Sequence, residues 1–167
     1  MTEPLLAAAL IDSLRLRGLK LAVAESLTGG QIASAIVDVA GASDVFLGGV
    51  VAYATAAKKG MLGLSPALLE SRGAVDADVA AEMARSCAER FAAGCGVSKD
   101  TVLGISSTGV AGPGSQDGKS AGTVFVAACL GENIQVLEFH FAGDRNQVRE
   151  QATLEALNLG GALLSQL

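Results

Sequence analysis

Apolar positions recur along this chain with two different periods. Over residues 3–17, Leu6, Leu10 and Leu14 follow helical spacing with Ala7 and Ile11 beside them, which predicts an amphipathic helix closed by Gly18. Residues 20–24 predict a short strand, and residues 28–39 predict a helix that starts at a Gly pair and stops near Gly41. The Val-rich stretch 48–54 predicts a second, buried strand. Ser65-Pro66 carries the signature of a helix start, with Ser at the N-cap and Pro at the first helical position. Residues 76–93 predict a long Ala-rich helix ended by Gly94. Strands are predicted over 101–107, 122–130 and 134–141, the last two joined by Gly131-Glu132-Asn133 as a tight hairpin. Asp144 and Gln147 have capping-box spacing and open the last helix, which runs to near the C-terminus.

The order is α-β-α-β-α-α-β-β-β-α. Early strands alternating with helices predict parallel pairing with helices on both faces, and the late hairpin requires an antiparallel strand. The expected fold is α/β: a three-layer α/β/α domain with a mixed, mostly parallel five-stranded sheet, and residues 1–167 form one domain. Such folds place their sites in loops at the carboxyl ends of the parallel strands.

Composition narrows this further. Half of the 167 residues are hydrophobic and 17% are charged, enough apolar material for a substantial core. With 21 Gly and 4% aromatics, that core is built from Ala, Val, Leu and Ile. A net charge of −5 argues against nucleic acid as a partner. The apolar runs 5–11 and 124–130 fall well short of the ~18–20 residues of a membrane span, and the N-terminus lacks the basic region of a secretory signal. Cys87, Cys95 and Cys129 form no Cys-x-x-Cys pair and are expected to be buried, reduced thiols of a cytoplasmic protein. The single His140 sits in an alternating stretch, where a structural role is expected and a multi-His metal site is excluded.

Three loops carry candidate chemistry. In Glu25-Ser26-Leu27-Thr28-Gly29-Gly30, a Ser sits on a strand-to-helix turn near backbone N–H groups suited to an oxyanion or a phosphate, although Ser26 and Thr28 equally suit a helix cap. A nucleophilic Ser needs a base. His140 is a poor candidate, so Lys58, with Tyr53 near the end of the second strand, is the alternative, against a reading of Tyr53, Lys58 and Lys59 as solvated side chains. The Gly-rich run from Thr108 through Gly109, Gly112 and Gly114 continues to Gly118-Lys119-Ser120. Pro113 stands where a P-loop needs Gly, and the spacing also fails the dinucleotide fingerprint, which leaves either a pocket wall or a solvent loop. Arg145 and Arg149 share one face of a helix start, placed either for a phosphate or for surface pairing with Asp144 or Glu150.

Taken together, these segments resemble the CinA C-terminal domain family and its stand-alone relatives, the nicotinamide mononucleotide amidohydrolases. The resemblance runs from about Leu5 to Leu164. It rests on Ala24 through Gly30, on Tyr53 through Lys58 with Leu62-Gly63, on Arg72 through Val75, on Gly109 through Pro113, and on Gly143-Asp144-Arg145 with Arg149. It implies hydrolysis of the carboxamide of nicotinamide mononucleotide to nicotinate mononucleotide and ammonia. Ser26 would be the nucleophile, Lys58 its base and Tyr53 an aid to proton transfer. Thr28, Gly29, Gly30, Thr55, Thr108, Gly109, Gly112 and Arg145 would bind the nucleotide. The resemblance implies no metal or cofactor, and a homodimer. Larger members carry an N-terminal cofactor-biosynthesis-like domain that is not expected here. Two departures stand out. The family's Tyr-Ser-Asn is Tyr53-Ala54-Thr55, and its Lys-Pro-Val-Gly is Lys119-Ser120-Ala121-Gly122.

Overall fold

The computed structural model describes residues 2–166. Its elements run α1 (Glu3–Arg17), β1 (Lys20–Glu25), α2 (Gln31–Val37), β2 (Phe46–Val51), α3 (Thr55–Leu62), α4 (Pro66–Arg72), α5 (Ala77–Cys95), β3 (Val102–Gly109), β4 (Thr123–Leu130), β5 (Asn133–His140) and α6 (Arg145–Leu164). The sheet order is β2-β1-β3-β4-β5. β1 pairs parallel with both β2 and β3, while β3–β4 and β4–β5 are antiparallel. Two of the four pairings are thus parallel, so the sheet is mixed rather than mostly parallel.

Alternation along β1 decides what each helical layer meets. Leu21 and Val23 face the core shared by α1, α2 and α6, whereas Ala22 and Ala24 face α5. The small residues let α5 approach closely: a Cβ added to Gly104 of β3 would stand 2.1 Å from the carbonyl oxygen of Ala84. On the opposite face Gly160 of α6 leaves room for Ile105, whose Cδ1 would lie 2.5 Å from an added Cβ. Burial of these aliphatic side chains, at about 25 cal/mol per Å², is the main force holding the three layers together.

Several element ends differ from the sequence expectation. α3 was not anticipated: of its eight residues only Lys58 and Leu62 are buried, too little periodicity to read, and Gly60 weakens the local propensity. α2 begins at Gln31 rather than 28, because residues 27–30 form a turn with Gly29 and Gly30 at positive φ. α5 runs through Gly94 and ends at Gly96, whose left-handed φ of 68° makes it the true cap. β2 ends at Val51, which leaves Tyr53 in the following loop. Ser65 occupies the N-cap of α4 without a side-chain hydrogen bond. The capping box of Asp144 and Gln147 is present at α6. Cys87 and Cys129 are buried but Cys95 is exposed. His140 is exposed and lies 3.3 Å from Glu138. No helix among the described residues is long and apolar enough to cross a membrane.

Candidate active site

The chain leaves β1 for β2 on one side and returns through α3, α4 and α5 to β3 on the other. β1 thus has a parallel neighbour on each side, and open α/β sheets place their crevice beyond the carboxyl ends of such strands, where the connections part. A cavity of about 400 Å³ opens there, bounded by the turns after β1, β2 and β3, the start of α3 and Arg145 of α6.

The strand's alternation splits two adjacent residues between the two faces. Glu25, in phase with Leu21 and Val23, turns toward α2. Its carboxylate accepts hydrogen bonds from the N–H groups of Gly30 (2.8 Å), Ile32 (3.2 Å) and Ala33 (2.8 Å). A buried carboxylate on three N–H groups at a helix N-terminus is a charge-assisted cap. Ser26 points the other way, toward α3, and its N–H extends the ladder to the carbonyl of Ser107 (3.0 Å). The sequence expectation placed Ser26 or Thr28 at the cap, but Glu25 takes that task. Thr28 is instead buried, 2.7 Å from the hydroxyl of Ser107.

Lys58 is 1% exposed, an unusual position for an ammonium group. Its Nζ lies 2.9 Å from Ser26 Oγ, 2.9 Å from the Ala52 carbonyl oxygen and 3.4 Å from that of Tyr53. Burial depresses its pKa from 10.5 to about 8, against the opposing pull of the Asp117 carboxylate. The neutral amine has two N–H groups and one lone pair. As the ammonium, Lys58 donates to Ser26 Oγ and to both carbonyls; once it is deprotonated, its two N–H groups stay on the carbonyls and its lone pair faces the Ser26 hydroxyl proton. This is the arrangement of a nucleophile and its general base.

Arg149 braces the turn after Ser26 from α6. Its Nε donates to the Leu27 carbonyl and its guanidinium NH2 to that of Thr28, both at 2.9 Å. The Leu27 N–H, beside Ser26 at the cavity wall, makes no hydrogen bond to the described residues. Arg145 spans the mouth, donating to the carbonyl of Gly112 (2.7 Å) and to the hydroxyl of Tyr53 (2.8 Å). Tyr53 thus meets Lys58 through its main chain and Arg145 through its ring hydroxyl.

Of the residues singled out in the sequence, Ser26, Tyr53, Thr55, Lys58, Thr108, Gly109, Gly112 and Arg145 all line the cavity. Thr28, Gly29 and Gly30 do not: their turn lies behind Ser26, the Gly30 N–H is bound by Glu25, and the Gly29 N–H by the Ser26 carbonyl (3.1 Å). The hydroxyl hydrogen of Thr108 is committed to the Ala74 carbonyl (2.6 Å). Sequence reasoning did not assign Glu25, Arg149 or Asp117 the contacts described here. For Glu25 the available signal was its place in the apolar alternation of β1. No group of three or more His, Cys, Asp or Glu able to hold a metal ion occurs among the described residues.

Residues 4–164 match the family of the CinA C-terminal domain. A CinA-like protein of Geobacter sulfurreducens is 46% identical over 145 residues, which cover 86% of this chain and 33% of that protein. One from Geotalea daltonii is 44% identical over 142 residues, 84% of this chain and 32% of that protein. The chain therefore spans about a third of the length of the curated relatives it matches. Among solved structures, a CinA superfamily protein of Klebsiella pneumoniae 700603 superposes with a TM-score of 0.89 at 29% identity, covering 100% of both chains. One from Escherichia coli gives 0.87 at 35% identity, covering 98% of this chain and 90% of that one. The match over nearly the whole chain and the shared architecture agree, and the chain belongs to the CinA C-terminal domain family.

Proposed function

We propose that this domain is a serine amidohydrolase that converts nicotinamide mononucleotide to nicotinate mononucleotide and ammonia. The observation that carries this reading is the Ser26–Lys58 pair, 2.9 Å apart and buried at the inner end of the cavity. Ser26 Oγ attacks the carboxamide carbon as its proton passes to Lys58 Nζ. The oxyanion of the tetrahedral intermediate is assigned to the Leu27 N–H, the unbonded donor next to the nucleophile. Collapse breaks the C–N bond, and Lys58 gives its proton to the leaving nitrogen, which departs as ammonia. Water then attacks the acyl-serine, again losing a proton to Lys58, and nicotinate mononucleotide leaves as Ser26 regains its hydrogen. Arg145 and the 111–116 loop are assigned to the nucleotide's ribose phosphate, because they bring a cation and glycine-rich backbone to the outer wall. The setting proposed is the cytoplasm and the assembly a homodimer, with no metal, cofactor, nucleic acid or membrane required.

Ammonia release from nicotinamide mononucleotide by the purified protein tests the reading. Turnover by the wild type that falls by about three orders of magnitude or more in Ser26→Ala and Lys58→Ala supports it. Equal rates in wild type and Ser26→Ala would sink it.

A second reading, a nucleotide-binding protein without turnover, draws on Thr55. This residue lines the cavity where the family usually has Asn. Saturable binding of the nucleotide with no ammonia release by the wild type would favour it.

A further inference from the structure

Residues 112–120 belong to no helix and to no strand of the main sheet, and their first part, 112–116, lines the outer side of the cavity. The segment folds back on itself through paired backbone hydrogen bonds between Gln116 and Lys119 (3.0 and 2.8 Å). Asp117 and Gly118 sit at its tip with φ of 49° and 74°. Asp117 is the one non-glycine residue with positive φ among the described residues, a conformation that Asp tolerates better than most side chains.

This segment is held at its start, tip and end, the end by the Thr123 N–H donating to the Ser120 carbonyl (3.1 Å) and by Lys119 Nζ lying 5.6 Å from the centre of the Phe125 ring. At its start the Gly112 carbonyl accepts from Arg145 (2.7 Å). At its tip Asp117 Oδ2 accepts from the Ala74 N–H (2.9 Å). Ala74 is itself part of the cavity wall, and its carbonyl accepts from Thr108 (2.6 Å). The loop after α4 is therefore gripped on both sides of one residue, by the tip of the crossing segment and by the end of β3. Gly73 permits the grip: a Cβ there would stand 2.9 Å from that of Asp117, on a backbone with φ of 76°.

We propose that Asp117 is a positioning residue of this site, which latches the 112–120 segment across the cavity so that its backbone and Arg145 close on the nucleotide. The inference rests on the amidohydrolase reading only for its substrate. With the latch released, the tip loses its hold on the loop after α4 while the ends at Gly112 and Ser120 stay tied, and the closed arrangement becomes a fraction of the population. The apparent affinity for the nucleotide drops by that fraction.

The carboxylate has a second effect, separable from the latch. Asp117 raises the proton affinity of Lys58, in opposition to burial. Tyr53 and Arg145 share the cavity wall with Lys58, Arg90 donates to the Leu62 carbonyl at the far end of α3, and Glu25, next to Ser26 in the chain, turns its carboxylate away onto the N-terminus of α2. Of the charged groups, Asp117 is the one whose field raises the proton affinity of Lys58. Removing its charge while keeping its hydrogen bond moves the protonation of Lys58 to lower pH.

Asp117→Asn and Asp117→Ala separate the two effects, because the Asn amide oxygen still accepts from the Ala74 N–H. In Asp117→Ala the KM for nicotinamide mononucleotide is expected to rise by about five- to tenfold, the value of one such hydrogen bond. In Asp117→Asn the KM stays within about twofold of wild type while the acidic limb of kcat/KM shifts to lower pH. Hydrogen exchange of the Ala74 amide supplies a readout independent of turnover. It is expected to quicken in Asp117→Ala and to stay slow in Asp117→Asn. An unchanged Ala74 exchange rate in Asp117→Ala overturns the latch, as does a KM in Asp117→Asn as poor as in Asp117→Ala. If the wild type releases no ammonia, the amidohydrolase reading fails by itself. The latch then stands or falls on Ala74 exchange and on the same ratio of affinities, measured by calorimetry with nicotinamide mononucleotide.

Discussion

Lys58 Nζ and Ser26 Oγ lie 2.9 Å apart, although one side chain comes from α3 and the other from the turn after β1. Their meeting follows from Ser26 facing α3 while Glu25 faces α2. Lys58 is buried with its pKa near 8, so the fraction of free amine rises steeply between neutral and mildly alkaline pH. The kcat/KM for ammonia release is expected to rise about tenfold per pH unit below this value and to level off above it. A profile flat from pH 6 to 9 would remove Lys58 from the role of base.

The same burial has a thermodynamic signature. The folded pKa of Lys58, about 8, lies below its ordinary 10.5, so between these values the unfolded chain binds more protons than the folded one. Stability from this group therefore rises with pH across that window, by on the order of 3 kcal/mol in all. Cys87 acts in the opposite sense, because burial pushes its thiol from 9.0 up to about 12 and stability is lost as pH rises through that range. Denaturant unfolding of wild type and Lys58→Met at pH 7.5 and pH 10 isolates the lysine. The difference between them is expected to move in favour of wild type at the higher pH.

Arg149 touches two carbonyls of the nucleophile turn and does not line the cavity. Arg149→Lys keeps a charge but can span only part of that fork. We expect kcat to fall about tenfold in Arg149→Lys and about a hundredfold in Arg149→Ala, with KM changed far less, since misplacing a nucleophile by about 1 Å costs that much. Steady-state kinetics decide it, and a change confined to KM would assign Arg149 to binding instead.

Gly94 and Gly96 give opposite outcomes for one substitution. Gly94 lies within α5 with open space around its Cα, so Gly94→Ala is expected to stabilise the fold by about 0.5–1 kcal/mol. Gly96 is the left-handed cap, and Gly96→Ala costs about 1 kcal/mol. Each step corresponds to a few degrees in Tm, about 2–4 °C per kcal/mol for a domain of this size, and is readable by thermal unfolding.

The sequence pattern carried the layers, the five strands and the capping box of α6, because each rests on a local period or a fixed spacing. Ser26, Lys58 and Tyr53 were legible as a group through motif order, and the cavity does gather them. What stayed hidden depends on contacts between distant segments. α3 has one buried stripe of two residues and no apolar period. The Glu25 cap exists only because β1 projects its last residue toward α2. Arg149 reads as half of a helix-face pair until α6 packs against the turn, 122 residues earlier in the chain, that it holds. The switch from Gly94 to Gly96 shows the limit of punctuation: a glycine ends a helix only where the chain turns left-handed, and at Gly94 it does not.

The bond between Arg149 and the Leu27 carbonyl also sets a schedule for the ribosome. Ser26 and Lys58 both precede β3, yet the brace on the Ser26 turn and the arginine at the cavity mouth belong to α6. A nascent chain halted before α6 has emerged holds Ser26 and Lys58 but neither arginine, so the contacts that brace the Ser26 turn and span the cavity mouth form only once α6 has been made.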